Sequence, residues 1–185
     1  TPPPTAATPI PFNADPRVVI IDTDMAADDW MAILYLLQRP DVRVAAITVT
    51  GAGEAHCAQG IQHALGLVAL SRSEAVPVTC GRETPLQGNH AFPTSWRESV
   101  DSLLGLTLPA GADSVSDQTA VELLASVIRS SPEPITVLTL GPLTNVAEAF
   151  QSDPALAGRL ERIVIMGGAV DVPGNVGASR VGIEN

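Results

Sequence analysis

Asp22, Asp24, Asp28 and Asp29 fall within one stretch of eight residues, DTDMAADD (22–29). It follows Val18-Val19-Ile20-Ile21, a short unbroken apolar run of the kind found in strands buried on both faces. Asp22 and Asp24 are two residues apart, so an extended backbone turns them to the same side. Asp28 and Asp29 open a helical pattern, where the positive end of the helix dipole favours anions. Two carboxylates ~5 Å apart repel by ~3 kcal/mol at an effective dielectric of ~20. The dipole returns only ~0.3–1 kcal/mol per charge. The acids therefore either fan out into water or surround a cation. Because Asp22 and Asp24 continue a buried strand, the cation is the stronger reading. Oxygen ligands with no neighbouring His or Cys select calcium or magnesium. The plainer alternative has Asp28 capping the helix and the other acids solvated.

The elements that must position these acids alternate along the chain. The apolar patterns predict strands at 18–21, 44–50, 76–80, 135–140 and 163–166. They predict helices at 28–38, 54–70, 117–129 (with Asp117 as its cap) and 143–150, and a short one near 96–104. The result is an α/β domain: an open, mostly parallel, Rossmann-like sheet with helices on both faces. In such a sheet ligands bind at the carboxyl ends of the strands, where the acids stand. Residues 1–16, rich in proline, are expected to form a tail, and 17–185 the domain. The tail resembles a tether left after processing, a hint of a periplasmic or secreted protein; a cytoplasmic one is the alternative.

Composition narrows the function. Of 185 residues 45% are hydrophobic, too many for a disordered chain. The net charge of −10 argues against nucleic acid as a partner, because phosphate binding needs a basic patch. No apolar run reaches the ~18 residues of a membrane span. Cys57 and Cys80 do not form a metal-type pair; free buried thiols are expected, with a bridge as the alternative. His56 and His63 read as surface or packing residues of the second helix.

Three segments in register carry a resemblance. VIIDTDMAADDWMAI (19–33), LTLGPLTNVA (138–147) and IVIMGGAV (163–170) with Gly174-Asn175 resemble the DxDxxxDD, GPLTN and MGGA…GN segments of the inosine-uridine preferring nucleoside hydrolases. AAITVTG (45–51) fits that family's second strand. The resemblance implies cleavage of the N-glycosidic bond of small-molecule ribonucleosides to ribose and free base, with Ca2+ as cofactor. It implies that Asp24 is a calcium ligand and the general base on a calcium-bound water. Asp29 and the Leu140 carbonyl would be further ligands. Asp28, Asn175 and Met166 would contact the substrate, and Asp22 would orient its neighbours. It also implies a homo-oligomer.

The chain departs from the family pattern in places. Met25-Ala26 stands where the family has Pro-Gly, at a turn that can want a positive φ. Ala52 stands where it has a substrate-binding Asn. LQGNHAFPTSWR (86–97) replaces its His-Gly segment, leaving His90 unaligned. Glu184 and Asn185 are of the ribose-binding types but lie too far past Asn175. The Asp that completes the family's calcium shell has no counterpart, so these residues are expected to be the N-terminal part of a longer polypeptide. Its remainder would be a separate associated chain or be lost by truncation. Two rivals stay open: a nucleoside- or ribose-binding homologue without turnover, and a haloacid-dehalogenase-type phosphatase. The phosphatase also opens on a strand ending in Asp-x-Asp and uses the first Asp as nucleophile.

Overall fold

The computed structural model describes residues 15–88, 91–111, 114–168 and 171. Five strands form one sheet: β1 (Arg17–Thr23), β2 (Val42–Val49), β3 (Val78–Cys80), β4 (Ile135–Thr139) and β5 (Leu160–Ile165). Their spatial order is β3-β2-β1-β4-β5, and every neighbouring pair is parallel. Five α-helices connect them: α1 (Ala27–Leu37), α2 (Cys57–Ser71), α3 (Thr94–Asp101), α4 (Ala120–Ser130) and α5 (Thr144–Ser152). The architecture is the expected parallel α/β sheet. None of the described helices is long and apolar enough to cross a membrane.

Strand alternation divides the core into two layers. Val19 and Ile21 face a cluster with Trp30 and Ile33 of α1, Leu65 and Val68 of α2 and Val100 of α3. Val18 and Ile20 face the opposite cluster, with Leu124 and Ile128 of α4 and Val146 and Ala149 of α5. Ile20, Ile21, Ile33 and Ile47 are fully buried. With helices on both faces, β1 can be continuously apolar, as its sequence is.

Several boundaries differ from the sequence reading: β2 begins at Val42, α2 at Cys57, β3 at Val78, α3 at Thr94 and β5 at Leu160. The helix expected from 117 begins at Ala120, and its cap is Thr119, not Asp117. The Thr119 hydroxyl accepts from the Glu122 N–H at 3.3 Å, and the Glu122 carboxylate accepts from the Thr119 N–H at 2.8 Å. This reciprocal box satisfies two amide donors at once, which a lone Asp117 two residues earlier does not do. Cys57 and Cys80 are joined by a disulfide and are not free thiols. Their Cα atoms lie 5.5 Å apart because α2 begins beside the carboxyl end of β3.

Candidate active site

The strand order reverses direction at β1: the chain moves from β1 to β2 and β3 on one side, then to β4 and β5 on the other. That reversal opens a crevice at the carboxyl end of β1, the place where open α/β sheets bind ligands. The acidic run lies there. Asp22 and Thr23 are the last residues of β1, and Asp24 to Ala26 form the turn into α1.

Alternation dictates where each side chain goes. Asp22 continues the Val18–Ile20 side, toward α5. Its Oδ1 accepts from Thr48 Oγ1 at 2.6 Å and from Asn145 Nδ2 at 2.8 Å, while its Oδ2 has no partner. Asn145 also donates to the Val49 carbonyl at 2.9 Å, so one amide ties β1, β2 and α5 together. Thr23 continues the opposite side, toward α1. Its hydroxyl donates to Asp29 Oδ2 at 2.5 Å and accepts from the Met25 N–H, leaving Asp29 Oδ1 buried and unpartnered.

Asp24 sits between the loops that leave β2 and β4. Its Oδ2 accepts from the Glu54 N–H at 3.2 Å, and its carbonyl from the Ala55 N–H at 2.9 Å. A Cβ on Gly53 would come within 2.1 Å of the Asp24 Cβ, and one on Gly141 within 2.7 Å of its Cγ. Glycine is required at both positions by this close approach. Leu140 is buried beside Gly141, its N–H bonded to the Asp22 carbonyl at 2.8 Å. The LTLGPLTNVA segment thus delivers Leu140 and Gly141 against the acids, and Asn145 beneath them.

Burial sets the electrostatics. Asp22, Asp24 and Asp29 are each no more than 2% exposed. Desolvation pushes the Asp22 carboxyl up to about 7, against the lowering effect of its bonds to Thr48 and Asn145. Desolvation, with repulsion from Asp24, pushes Asp29 up to about 8. Burial raises Asp24 as well. Glu54, half-buried, rises to about 7, first by desolvation and then by repulsion from Asp24 and Asp28. Such carboxyls need protons or a cation to become comfortable.

Asp28 points outward from the first turn of α1 and is exposed. It does not cap that helix: the cap residue is Ala26, with no side-chain bond. Met166, just past β5, is 37% exposed and bonds through its N–H to the Thr139 carbonyl. The structure therefore brings together Asp22, Asp24, Asp29 and Leu140, and keeps Asp28 at the rim. Asn175, with Gly174, His90, Glu184, Asn185 and the tail at 1–14, lies outside the described residues. Thr23, Thr48, Glu54 and Asn145 belong to the site although the sequence reading did not single them out. Thr23, Thr48 and Asn145 stand in the quoted segments 22–29, 45–51 and 138–147; Glu54 stands in none of them.

A positive φ does occur in the β1–α1 turn, at Met25 (62°), one residue before the position where the family has glycine. Proline, the family's residue at that position, cannot take this conformation. Met25 is fully buried, and its carbonyl accepts from Trp30 Nε1 at 2.7 Å, which locks the turn. The site fits a divalent ion in the chemistry of its donors: oxygen ligands, buried, with Asp22 Oδ2 and Asp29 Oδ1 unsatisfied. Among the described residues, no three or more His, Cys, Asp or Glu side chains are grouped to hold a metal. A phosphatase nucleophile at Asp22 would have to reach a phosphate. Fully buried and bonded by Thr48 and Asn145, Asp22 is not placed to do so.

Comparison with known proteins bears on the family and the fold. The chain is 36% identical over 158 residues to a probable uridine nucleosidase 1 of Oryza sativa subsp. japonica, covering 85% of this chain and 48% of that protein. It is 36% identical over 152 residues to the pyrimidine-specific ribonucleoside hydrolase RihA of Escherichia coli O127:H6, covering 82% and 48%. A solved plant nucleoside hydrolase superposes with a TM-score of 0.75 at 36% identity, over 86% of this chain and 50% of that one. An inosine-guanosine nucleoside hydrolase gives 0.74 at 29% identity, over 86% and 52%. The chain spans about half the length of the curated relatives it matches. The family model described as inosine-uridine preferring nucleoside hydrolase matches residues 19–180, from within β1 past the last described strand, and the chain belongs to that family.

Proposed function

We propose that the protein carrying these residues hydrolyses the N-glycosidic bond of ribonucleosides, releasing ribose and free base, with calcium held at the carboxyl end of β1. The observation that supports this most is the burial of Asp22, Asp24 and Asp29 at the point where the sheet order reverses, with two of their oxygens unsatisfied. Asp24, Asp29 and the Leu140 carbonyl would hold the ion. Bound there, calcium supplies a Lewis acid that makes water easier to deprotonate.

The chain's own groups do the rest. Asp24 takes the proton of the attacking water at its carboxylate, which the close-packed Gly53 and Gly141 hold in place. Thr23 holds one oxygen of Asp29 and leaves the other free. Asp22, fastened by Thr48 and Asn145, keeps β1, β2 and α5 in register beneath the site. Asp28 at the rim meets a ribose hydroxyl, and Met166 and Asn175 make further substrate contacts. The concentrated negative charge favours the cationic, oxocarbenium-like sugar of the transition state. Completion of the site by chain beyond residue 185, and assembly into a homo-oligomer, are parts of the same proposal.

One observation favours a binding protein without turnover: the β1–α1 turn is built on Met25 at positive φ, unlike the family's Pro-Gly. A reducing-sugar assay with uridine and inosine, with and without chelator, separates the readings. Free ribose that vanishes on chelation and returns with calcium is the expected result. Nucleoside binding with no ribose released would favour the binding protein. Phosphate release from p-nitrophenyl phosphate would favour the phosphatase.

A further inference from the structure

The wall behind Asp24 is the loop between β2 and α2, residues 50–56. Ala55 and Glu54 give it their N–H groups, and Gly53 touches it directly. With Gly51 and Gly53 among its seven residues, this loop has little stiffness of its own. Its shape is imposed from outside, and much of that comes from α3. Arg97 Nη2 donates to the Gly51 carbonyl at 2.9 Å and to the Ala55 carbonyl at 3.3 Å. These two carbonyls flank Gly53 and Glu54, the residues that meet Asp24. One turn further along α3, Asp101 Oδ1 accepts from the His56 N–H at 2.9 Å, and its Oδ2 lies 2.6 Å from His56 Nδ1. Arg97 and Asp101 are four apart and share a face of the helix. Val100, and Leu103 just past the helix's end, both buried, seat α3 in the core. At the far end, Cys57 is fixed by its bridge to Cys80 and by the bond of its N–H to Glu83 Oε1.

We infer that Arg97 is a positioning residue for Asp24: by spanning the Gly51 and Ala55 carbonyls it sets the width of the loop that aligns the carboxylate. This rests on the reading of Asp24 as base and calcium ligand. Arg97 lies more than 40 residues from the loop it holds. None of the segments that identify the family contains it.

The test uses the full-length protein with the Arg97→Ala and Arg97→Lys variants, and Arg82→Ala as control, since Arg82 pairs with Glu148 elsewhere. Calcium binding is measured by calorimetry, kcat and KM with uridine and inosine, and amide exchange at residues 50–56. For R97A the expected result is an about tenfold weaker calcium Kd and an about tenfold lower kcat, with KM within about twofold. Exchange should accelerate at Glu54 and Ala55 while the sheet keeps its protection. R97K should recover only part, because its ammonium ends one bond short of the Nη2 position from which both carbonyls are reached. R82A should behave as the parent. Parental calcium affinity and kcat in R97A would overturn the inference, as would a loss accompanied by faster exchange throughout the sheet. If R97A does not fold, R97K decides by the same readouts, parental values overturning the inference. A parent protein that binds no calcium and releases no ribose would sink the functional reading, and this inference with it; a null result in R97A against an active parent strikes the inference alone.

Discussion

β1 and β5 are written in nearly the same language. One reads RVVIIDT and the other LERIVI, and each leads into a segment that marks the family. Their surroundings differ. In β1 every residue after Arg17 is buried, whereas in β5 every residue after Leu160 is exposed, with Ile165 at 52%. β1 has a strand on each side and a helical layer on each face; β5 pairs only with β4 among the described residues. An aliphatic strand sequence thus states a demand for cover, and the neighbours decide whether it is met. The strand ends differ in the same way: Asp22 and Asp24, at the end of β1, are buried, while Met166, just past β5, is 37% exposed.

Four experiments sharpen or break this contrast. The largest effect is expected at the covered end: Asp24→Ala should reduce ribose release by roughly 10²- to 10⁴-fold in a reducing-sugar assay. Next, Ile20→Ala should cost about 2–5 kcal/mol in denaturant unfolding, since Ile20 is fully buried. Ile165→Ala should change stability by less than about 0.5 kcal/mol in these 185 residues. Equal losses at the two positions would erase the distinction between the strands.

The third experiment concerns pH. Asp22 and Asp29 are raised to about 7 and about 8, well above their unfolded range. The native state then holds more protons than the unfolded one, so metal-free stability should be fullest below about pH 4 as far as these groups are concerned. It should fall as pH rises through 7 to 8. Calcium competes with those protons, so the Tm gain on adding it should be larger at pH 8 than at pH 5.5. An equal gain at both, by scanning calorimetry, would show that the ion does not meet these carboxyls. A loss smaller than that at Ile20 is expected from Asn145→Ala, which removes the bonds to Asp22 and Val49. A stability loss of about 1–3 kcal/mol, with calcium affinity weakened, would identify Asn145 as the tie beneath the site.

Much of the fold could be read from the sequence because alternating apolar segments specify it locally. The acid cluster was legible for the same reason, since four aspartates following an aliphatic strand are close in sequence. What stayed hidden depends on distance along the chain. Asn145 meets Asp22 across 123 residues, and no local pattern announces such a pair. The Cys57–Cys80 bridge spans 23 residues, and only the docking of α2 against β3 shows that the two can meet. Asp28 and Asp29 are neighbours in the first turn of α1, yet the rotation of about 100° per residue sends Asp28 out to solvent and Asp29 inward. The start of α4 could have been placed better, because Thr119 and Glu122 carry the T-x-x-E signature of a capping box.

The sulfur bridge bears on how the protein is best prepared. Crosslinks of this kind persist in oxidising compartments and are rare where glutathione keeps thiols reduced. Material made in a reducing bacterial cytosol would arrive with Cys57 and Cys80 apart, and the loop backing Asp24 would lose the fastening at its α2 end. Secretion, or refolding under a glutathione couple, is therefore the preparation in which measured constants would describe the protein with its bridge intact.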